Sequence, residues 1–598
     1  VRDPLVADVL LPSHLAPGDE ARLTVLLHNL DLPAGTVTAE LATEGAVSIA
    51  GTARFSQTLA IGAQALPNTV LKATGIGNGT VTLTVTGPNN FKVTHTGRVY
   101  VAPARDRVME IAGAELAPGA ERRLAVDAAR FIPGTVSASV TVGGRVRYSA
   151  ASLVAALDAY EFSCLEQATS RGLPLALLPD GAMAGPDRAA RLQQAVDQVL
   201  DRQRYDGAFA LWRATGDGEP WLTSYASEFL LRARKAGATV PDVPMAEALK
   251  HLSDEAANQY RTSPEEISAQ AYRLYVLALA GQGRPGAARI LAEAPNRVPT
   301  PLARAQIAAA LALAGDKARA EPMFIAALDG LTRNYWAADY GSALRDRAAI
   351  AVLLGESGLL PQRLATLIGT LPGAELKPAA ASTQEQAWLA AASAVLGRGL
   401  PPISASLDGV ALAAAPSATA PLLAPAVLRN TGTTALWQSV SVAGVPIAAP
   451  PASASQMDIR RKFFNAEGKP LDPRRIRQNT SFVMLLEARG PVDDQPSQIA
   501  LTQGLPAGWE IVGRFGEGAI ETMPWLGELS ATDIQPALED RFAAIGRMKG
   551  EQRDFRVAVK LRAVFPGSYE MPGASVANMY RPALGARLGT DRVVVAAP

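Results

Sequence analysis

The chain has 598 residues, 48% apolar and 19% charged, the composition of a globular protein that is too long for a single core, since cores rarely grow past about 250–300 residues. Fifty-seven Lys and Arg against fifty-six Asp and Glu leave a formal charge of +1, which gives no electrostatic case for binding nucleic acid or a membrane surface. A single cysteine excludes an internal disulfide, and no apolar run reaches the about 20 residues that a bilayer-spanning helix needs. The chain starts at Val1 rather than Met, so we expect a processed or excised piece of a longer protein.

Residues 1 to 150 predict β structure. Leu23, Val25 and Leu27 alternate in "ARLTVLLHN", and Val81, Leu83 and Val85 do so in "TVTLTVTG", the period of half-buried sandwich strands. "GIGNGT" at 75–80 has the look of a phosphate loop. It runs into a strand pattern, whereas a dinucleotide fingerprint must open a helix, so it predicts a hairpin or tight turn.

From 151 to 398 the pattern changes to Ala/Leu-rich helices. Ser263 predicts an N-cap, Pro264 the first helical residue and Glu266 a capping box, with Ile267, Ala271, Leu274 and Ala278 as the apolar stripe. Gly281 predicts a left-handed end, and Ser382 with Glu385 a second capping box. Ordinary helix and loop lengths predict about a dozen helices, packed as hairpins into a solenoid or closed ring. Strand patterns return after Leu400. Val557, Val559 and Leu561 face one side of "RVAVKLRAV", with Lys560 and Arg562 on the other. Helices between two β-rich stretches suggest an insertion, with the flanking β segments pairing in one sandwich.

The lone cysteine, Cys164, lies in "YEFSCLEQATS" at 160–170. Three readings of it stand side by side. It is a buried structural thiol, the common fate of free cysteines. It is a protease nucleophile, which needs a histidine base; only His14, His28, His95 and His251 exist, and none stands in a protease signature. Or its sulfur attacks the side-chain amide of Gln167, three residues on and within reach across one helical turn, expelling ammonia to leave an internal thioester. No metal-ligand cluster and no H-E-x-x-H or G-x-S-x-G motif accompanies it.

"CLEQ" preceded by "YEFS" resembles the Cys-x-Glu-Gln motif of thioester-containing α2-macroglobulins, especially the bacterial ones. The resemblance extends through "YDGAFALW", "PWLTSYASEFLLRARKAG", "YGSALRDRAAIAVLL" and "STQEQAWLAAA". It continues to "LPAGWEI", "LEDRF" and "FPGSYEMPGASVANMY", in family order over the whole chain. It implies a multidomain α+β fold. An α/α-toroid thioester domain, 151–398, would be inserted in a split CUB-like β-sandwich, 105–150 and 399–453. Macroglobulin-type β-sandwiches at 1–104 and 454–598 would flank it.

The resemblance also implies that Cys164 supplies the thioester sulfur and Gln167 the acyl carbon, and that Tyr160, Trp212, Met579 and Tyr580 shelter the bond. "ANMY" stands where bacterial relatives often read Glu-Asp-Met-Tyr, which puts the contacts there in question. The implied protein is a protease inhibitor rather than an enzyme, needing no cofactor. Cleavage of an upstream bait region, absent from this chain, would uncover the thioester, which then captures the endopeptidase through a lysine amine. Amides rather than esters are expected, because the helical region's only histidine, His251, does not match the acyl-relay histidine of complement-type relatives. The other expected partners are the upstream N-terminal domains of the same parent chain. No nucleic acid and no direct membrane contact are expected. The expected location is the periplasm, with an N-terminal lipid tether on the parent. A structural or adhesive envelope module is the alternative, and a toroid enzyme comes third, since fold analogy cannot supply catalytic carboxylates.

Overall fold

A computed structural model describes residues 3–144, 146–179, 188–258, 262–373, 376–536 and 538–598. The alternating strand Glu20–Asn29 buries Ala21, Leu23, Val25 and Leu27 on one face. It pairs with Leu5–Leu10 and Asn68–Ala73. A second sheet holds Gly35–Gly45, Arg54–Leu59, Gly77–Gly87 and Phe91–Val101, and packs its Val81, Leu83 and Val85 against the first. "GIGNGT" turns into the strand that begins at Gly77, where φ is 110°, a conformation glycine adopts without a Cβ penalty.

The next sandwich is assembled from two distant stretches. In one sheet Val108–Leu116 and Ser137–Gly143 lie on either side of Leu436–Gly444, and Ser417–Pro421 completes it. In the other, Glu121–Leu124 pairs with Ala426–Asn430, which pairs with Ala405–Leu407. Both sheets thus mix strands from before and after the helices, which form an inserted unit.

Twelve α-helices occur among the described residues. Leu165–Leu177, Pro220–Lys235, Pro264–Leu279, Pro301–Leu313, Ala343–Ser357 and Thr383–Gly397 contact one another in chain order, and the last closes on the first. This inner ring is buried nearly all round, as helices without a solvent face must be; the other six pack outside it. Both predicted capping boxes form, Ser263 with Glu266 and Ser382 with Glu385, and Gly281 ends its helix at φ 76°. The ring's interior holds Trp221, Tyr225, Tyr272 and Trp388 in mutual ring contact. The architecture is an α/α toroid inserted in a split β-sandwich.

The last sandwich packs the sheet of Asp493–Gly504, Arg541–Gly550, Ala574–Asn578 and Arg581–Arg587 over that of Asp458–Phe464, Ser481–Arg489, Trp509–Arg514 and Asp554–Ala563. Its strand Gly567–Met571 also pairs with Glu20–Asn29, Gly567 opposite Ala21 and Ser568 opposite Glu20. The first and last sandwiches therefore share one eight-stranded sheet and one continuous core.

Candidate functional site

Cys164 is the N-cap of the inner-ring helix Leu165–Leu177, and Gln167 is its third residue. The cap residue is extended while the third is helical, so their side chains face each other over the helix's unpaired N–H groups. The Gln167 Oε1 accepts the Cys164 backbone N–H at 3.0 Å. Both residues have zero solvent exposure, and the Gln167 Nε2 has no hydrogen-bond partner. A buried amide with its oxygen held and its nitrogen unpaired is a costly arrangement for a structural glutamine. The held oxygen also polarises the Gln167 side-chain carbonyl, as a backbone donor does in acyl transfer.

Burial pushes the Cys164 thiol up to about 12 from its ordinary 9.0, with the Glu166 charge adding to the effect. A thiolate is therefore a poor leaving group inside this site and a much better one once water reaches it. Glu166 is itself fully buried. Its carboxyl accepts the hydroxyl hydrogens of Ser170 at 2.7 Å and of Thr383 at 2.7 and 2.9 Å, which ties this helix to the last one of the ring.

The cover over Cys164 comes from the last sandwich. The Tyr580 hydroxyl lies 3.7 Å from the sulfur. Met579 and Tyr580 are buried in a cluster with Ala500 and Ile545, against which Phe162, Trp212, Tyr335, Tyr340 and Ile534 pack. Asn578, in the "ANMY" turn, accepts the N–H groups of both Tyr580 and Arg581 at 3.0 Å, so this asparagine shapes the turn that presents Tyr580. Trp212 follows Leu211, whose carbonyl accepts the Leu165 N–H at 2.8 Å and so runs beside the helix start. Tyr160 packs edge-on against Phe162, centroids 6.1 Å apart, in the link that leads into Cys164. Arg171 donates to the carbonyls of Leu157, Tyr160 and Phe162, and Arg202 to that of Ser163, bracing that link from behind.

Of the six residues singled out from the sequence, Gln167 and Tyr580 touch Cys164, Met579 and Trp212 pack in the cover with Tyr580, and Tyr160 joins them through Phe162. Phe162, Tyr335, Tyr340, Ala500, Ile534 and Ile545 join them without having been foreseen. Tyr340 stands at right angles to Tyr580, centroids 4.8 Å apart, and its hydroxyl donates to Glu219 at 3.2 Å. Tyr340 is left-handed, φ 52°, at a cost of about 1–2 kcal/mol for a residue with a Cβ. Its loop is held in place by Asp339, which pairs with Arg345 at 2.7 Å and Arg333 at 2.9 Å. Three further contacts join the toroid to the last sandwich. Arg581 lies over the Tyr335 ring at 4.8 Å, the Ala337 N–H reaches Gln495, and Arg541 pairs with Glu161 at 2.5 Å. Among the described residues no group of His, Cys, Asp and Glu is arranged to hold a metal, and His251 sits on an outer helix with its ring against the Asp206 carbonyl.

The fold is thus a toroid set in a split sandwich, with a buried cysteine–glutamine pair on the toroid's rim and the last sandwich covering that pair. Residues 457–583 match the family described as "Bacterial Alpha-2-macroglobulin MG10 domain". The chain is 26% identical to Alpha-2-macroglobulin of Escherichia coli (strain K12), over 100% of this chain and 38% of that protein. A crystal structure of native alpha-2-macroglobulin from Escherichia coli, from domain MG7 to the C-terminus, superposes with a TM-score of 0.86. It is 25% identical and covers 100% of this chain and 99% of that one. Salmonella alpha-2-macroglobulin reacted with methylamine gives a TM-score of 0.84 at 26% identity, over 100% of this chain and 41% of that one. Along its whole length the chain is thus similar to the C-terminal portion of bacterial alpha-2-macroglobulins, and it spans 38% of the length of the curated relative.

Proposed function

We propose that Cys164 and Gln167 form an internal thioester, and that the parent protein is a broad-spectrum protease inhibitor that uses it to capture attacking endopeptidases. The observation that carries this reading is the amide of Gln167, its oxygen held by the Cys164 N–H, its nitrogen unpartnered and both side chains sealed from water. In forming the bond the sulfur adds to the Gln167 Cδ, the C–N bond breaks, and the amide nitrogen leaves as ammonia carrying the thiol proton. Tyr160, Trp212, Met579 and Tyr580 act as the shelter. Lifting the last sandwich away would admit water and amines and lower the leaving-group pKa of the sulfur toward 9.0. A lysine amine of the protease would then take the acyl group as an amide. That a Salmonella relative of the same fold reacts with methylamine supports an amine-reactive centre here.

On this reading the chain is a trap and not a catalyst. Bait cleavage happens in upstream domains, and the parent works in the periplasm, tethered by an N-terminal lipid. Among the described residues no helix is long and apolar enough to cross a membrane. The test is to challenge the full parent protein with trypsin and separate the products in denaturant. A trypsin-bearing adduct that survives denaturation, and is lost in Cys164→Ala, is the expected result. An adduct that persists in Cys164→Ala, or none in either protein, would refute covalent capture through this residue.

A further inference from the structure

A cavity of about 720 Å³ opens where the first sandwich, the toroid and the last sandwich meet. Tyr160, Glu161 and Phe162 form part of its wall. Part of its floor is two cross-strand pairs of small residues in the last sandwich, Ala500 opposite Ala577 and Thr502 opposite Ser575. Ala500 and Phe162 also belong to the cluster around Met579 and Tyr580. The cavity therefore reaches the outer side of the aromatics that cover Cys164.

The other flanks are better closed. The 209–212 segment is bonded along one side through Leu165 and Leu211, Tyr225 and Trp388 fill the ring interior, and Tyr340 backs Tyr580. A second cavity, of about 450 Å³, touches Tyr580 from another direction. There the adjacent Arg581 is pinned by Asp493 at 2.5 Å and lies over the Tyr335 ring. The 160–163 link, by contrast, lies outside helix and strand. Beyond the packing of Phe162, a polar tie from this link to the last sandwich is the partly exposed Glu161–Arg541 pair.

We propose that this larger cavity is the route by which small amines reach the Cys164–Gln167 bond while the last sandwich is still docked. The Tyr160–Phe162 pair is the inner door and Glu161–Arg541 the outer clasp, so the site selects nucleophiles by size. The inference rests on the thioester reading above. In the step itself the neutral amine nitrogen attacks the Gln167 acyl carbon and the C–S bond breaks. The electron pair stays on the Cys164 sulfur, which takes the proton that the amine gives up, leaving an amide and a free thiol.

The test follows adduct formation by intact mass after methylamine addition, scored on chains that lack one ammonia at the outset. Ser575→Phe and Thr502→Trp fill the floor from two different strands, and each is expected to slow the reaction about tenfold. Ala583→Trp, in the smaller cavity, is expected to leave the rate within about twofold. Glu161→Gln is expected to speed benzylamine more than methylamine. Unchanged rates in both floor variants, or slowing by Ala583→Trp instead, would overturn the route and leave the thioester standing. A chain of full sequence mass that takes up no methylamine would sink the thioester and the route together.

Discussion

Gln167 gives up the hydrogen bonds its amide nitrogen would make in water, and no partner inside the fold replaces them. The cost of such a group is about 1–3 kcal/mol, and the proposed conversion of the amide to a thioester would remove it along with the nitrogen. Glu166, between Cys164 and Gln167 in sequence, has a different role. Burial pushes its carboxyl up to about 7 from 4.5, against the pull of Ser170, Thr383, Arg171 and Arg345. The folded chain therefore keeps this proton over a window in which the unfolded chain has released it. Stability from this group is present below pH 4.5 and is lost as pH rises toward about 7, a loss of about 3 kcal/mol. Buried Asp19, raised from 3.8 to about 7, acts with the same sign. Denaturant unfolding of Glu166→Gln should show a shallower fall between pH 5 and pH 7.5 than the parent sequence; an equal slope would place the proton elsewhere. Tyr160→Ala should release the Cys164 thiol faster in a freshly purified sample, by about tenfold, as followed by thiol titration. The cysteine, the glutamine and Tyr160 were legible because seven or eight consecutive residues carry them. Tyr335, Tyr340, Ile534 and Ile545 were not, since only tertiary packing brings them to a cysteine far away in sequence.

The helix Leu165–Leu177 does two jobs, and each leaves a mark on its sequence. Its start is shaped by Cys164 and Gln167, which occupy the N-cap and third positions that Ser and Glu fill at Ser263–Glu266 and Ser382–Glu385. The two ordinary capping boxes could be read in advance because those residue types are the usual ones. Cysteine is not among the favoured N-caps, so the same geometry at Cys164 passed unread. Farther along, Gly172 lets this helix approach Pro220–Lys235 closely: a Cβ there would stand 2.3 Å from the Phe229 ring. Gly172→Ala would normally favour a helix, but here the overpacking should win and cost about 1–3 kcal/mol. Thermal unfolding of that variant is the check, and a raised melting temperature would show that Phe229 moves aside freely. Nothing in the sequence around Gly172 announces a helix crossing, because the partner ring lies on another element.

At the scale of the molecule, the last sandwich covers Cys164 because it is fixed at two places. One is its docking on the toroid through Tyr580, Arg581 and Gln495. The other is the sheet it shares with the first sandwich, where Asp19 accepts the Glu570 N–H at 2.7 Å and a Cβ on Gly567 would meet the Glu20 carbonyl at 2.3 Å. Arg105 adds a bidentate pair to Glu570 at 2.7 and 2.8 Å, and its other nitrogen reaches the carbonyls of Pro446 and Ile447. One side chain thus staples both sandwiches to the split one. Arg105→Ala leaves Glu570 buried without its partner and should cost about 3 kcal/mol. It should also hasten limited proteolysis between the first and second sandwiches, and unchanged cleavage would deny the staple its role. The inserted toroid could be foreseen from the β–helix–β order. The shared sheet could not, since strand edges carry no label of a partner more than five hundred residues away.

The most direct measurement is the intact mass of the untreated chain, repeated after methylamine, with a thiol titration beside each. The thioester account predicts a mass short by one ammonia with no free thiol, then uptake of one methylamine and release of one thiol. A full sequence mass with a free thiol at the outset, in this chain and in the full-length parent alike, would contradict it and return Cys164 to a buried structural residue.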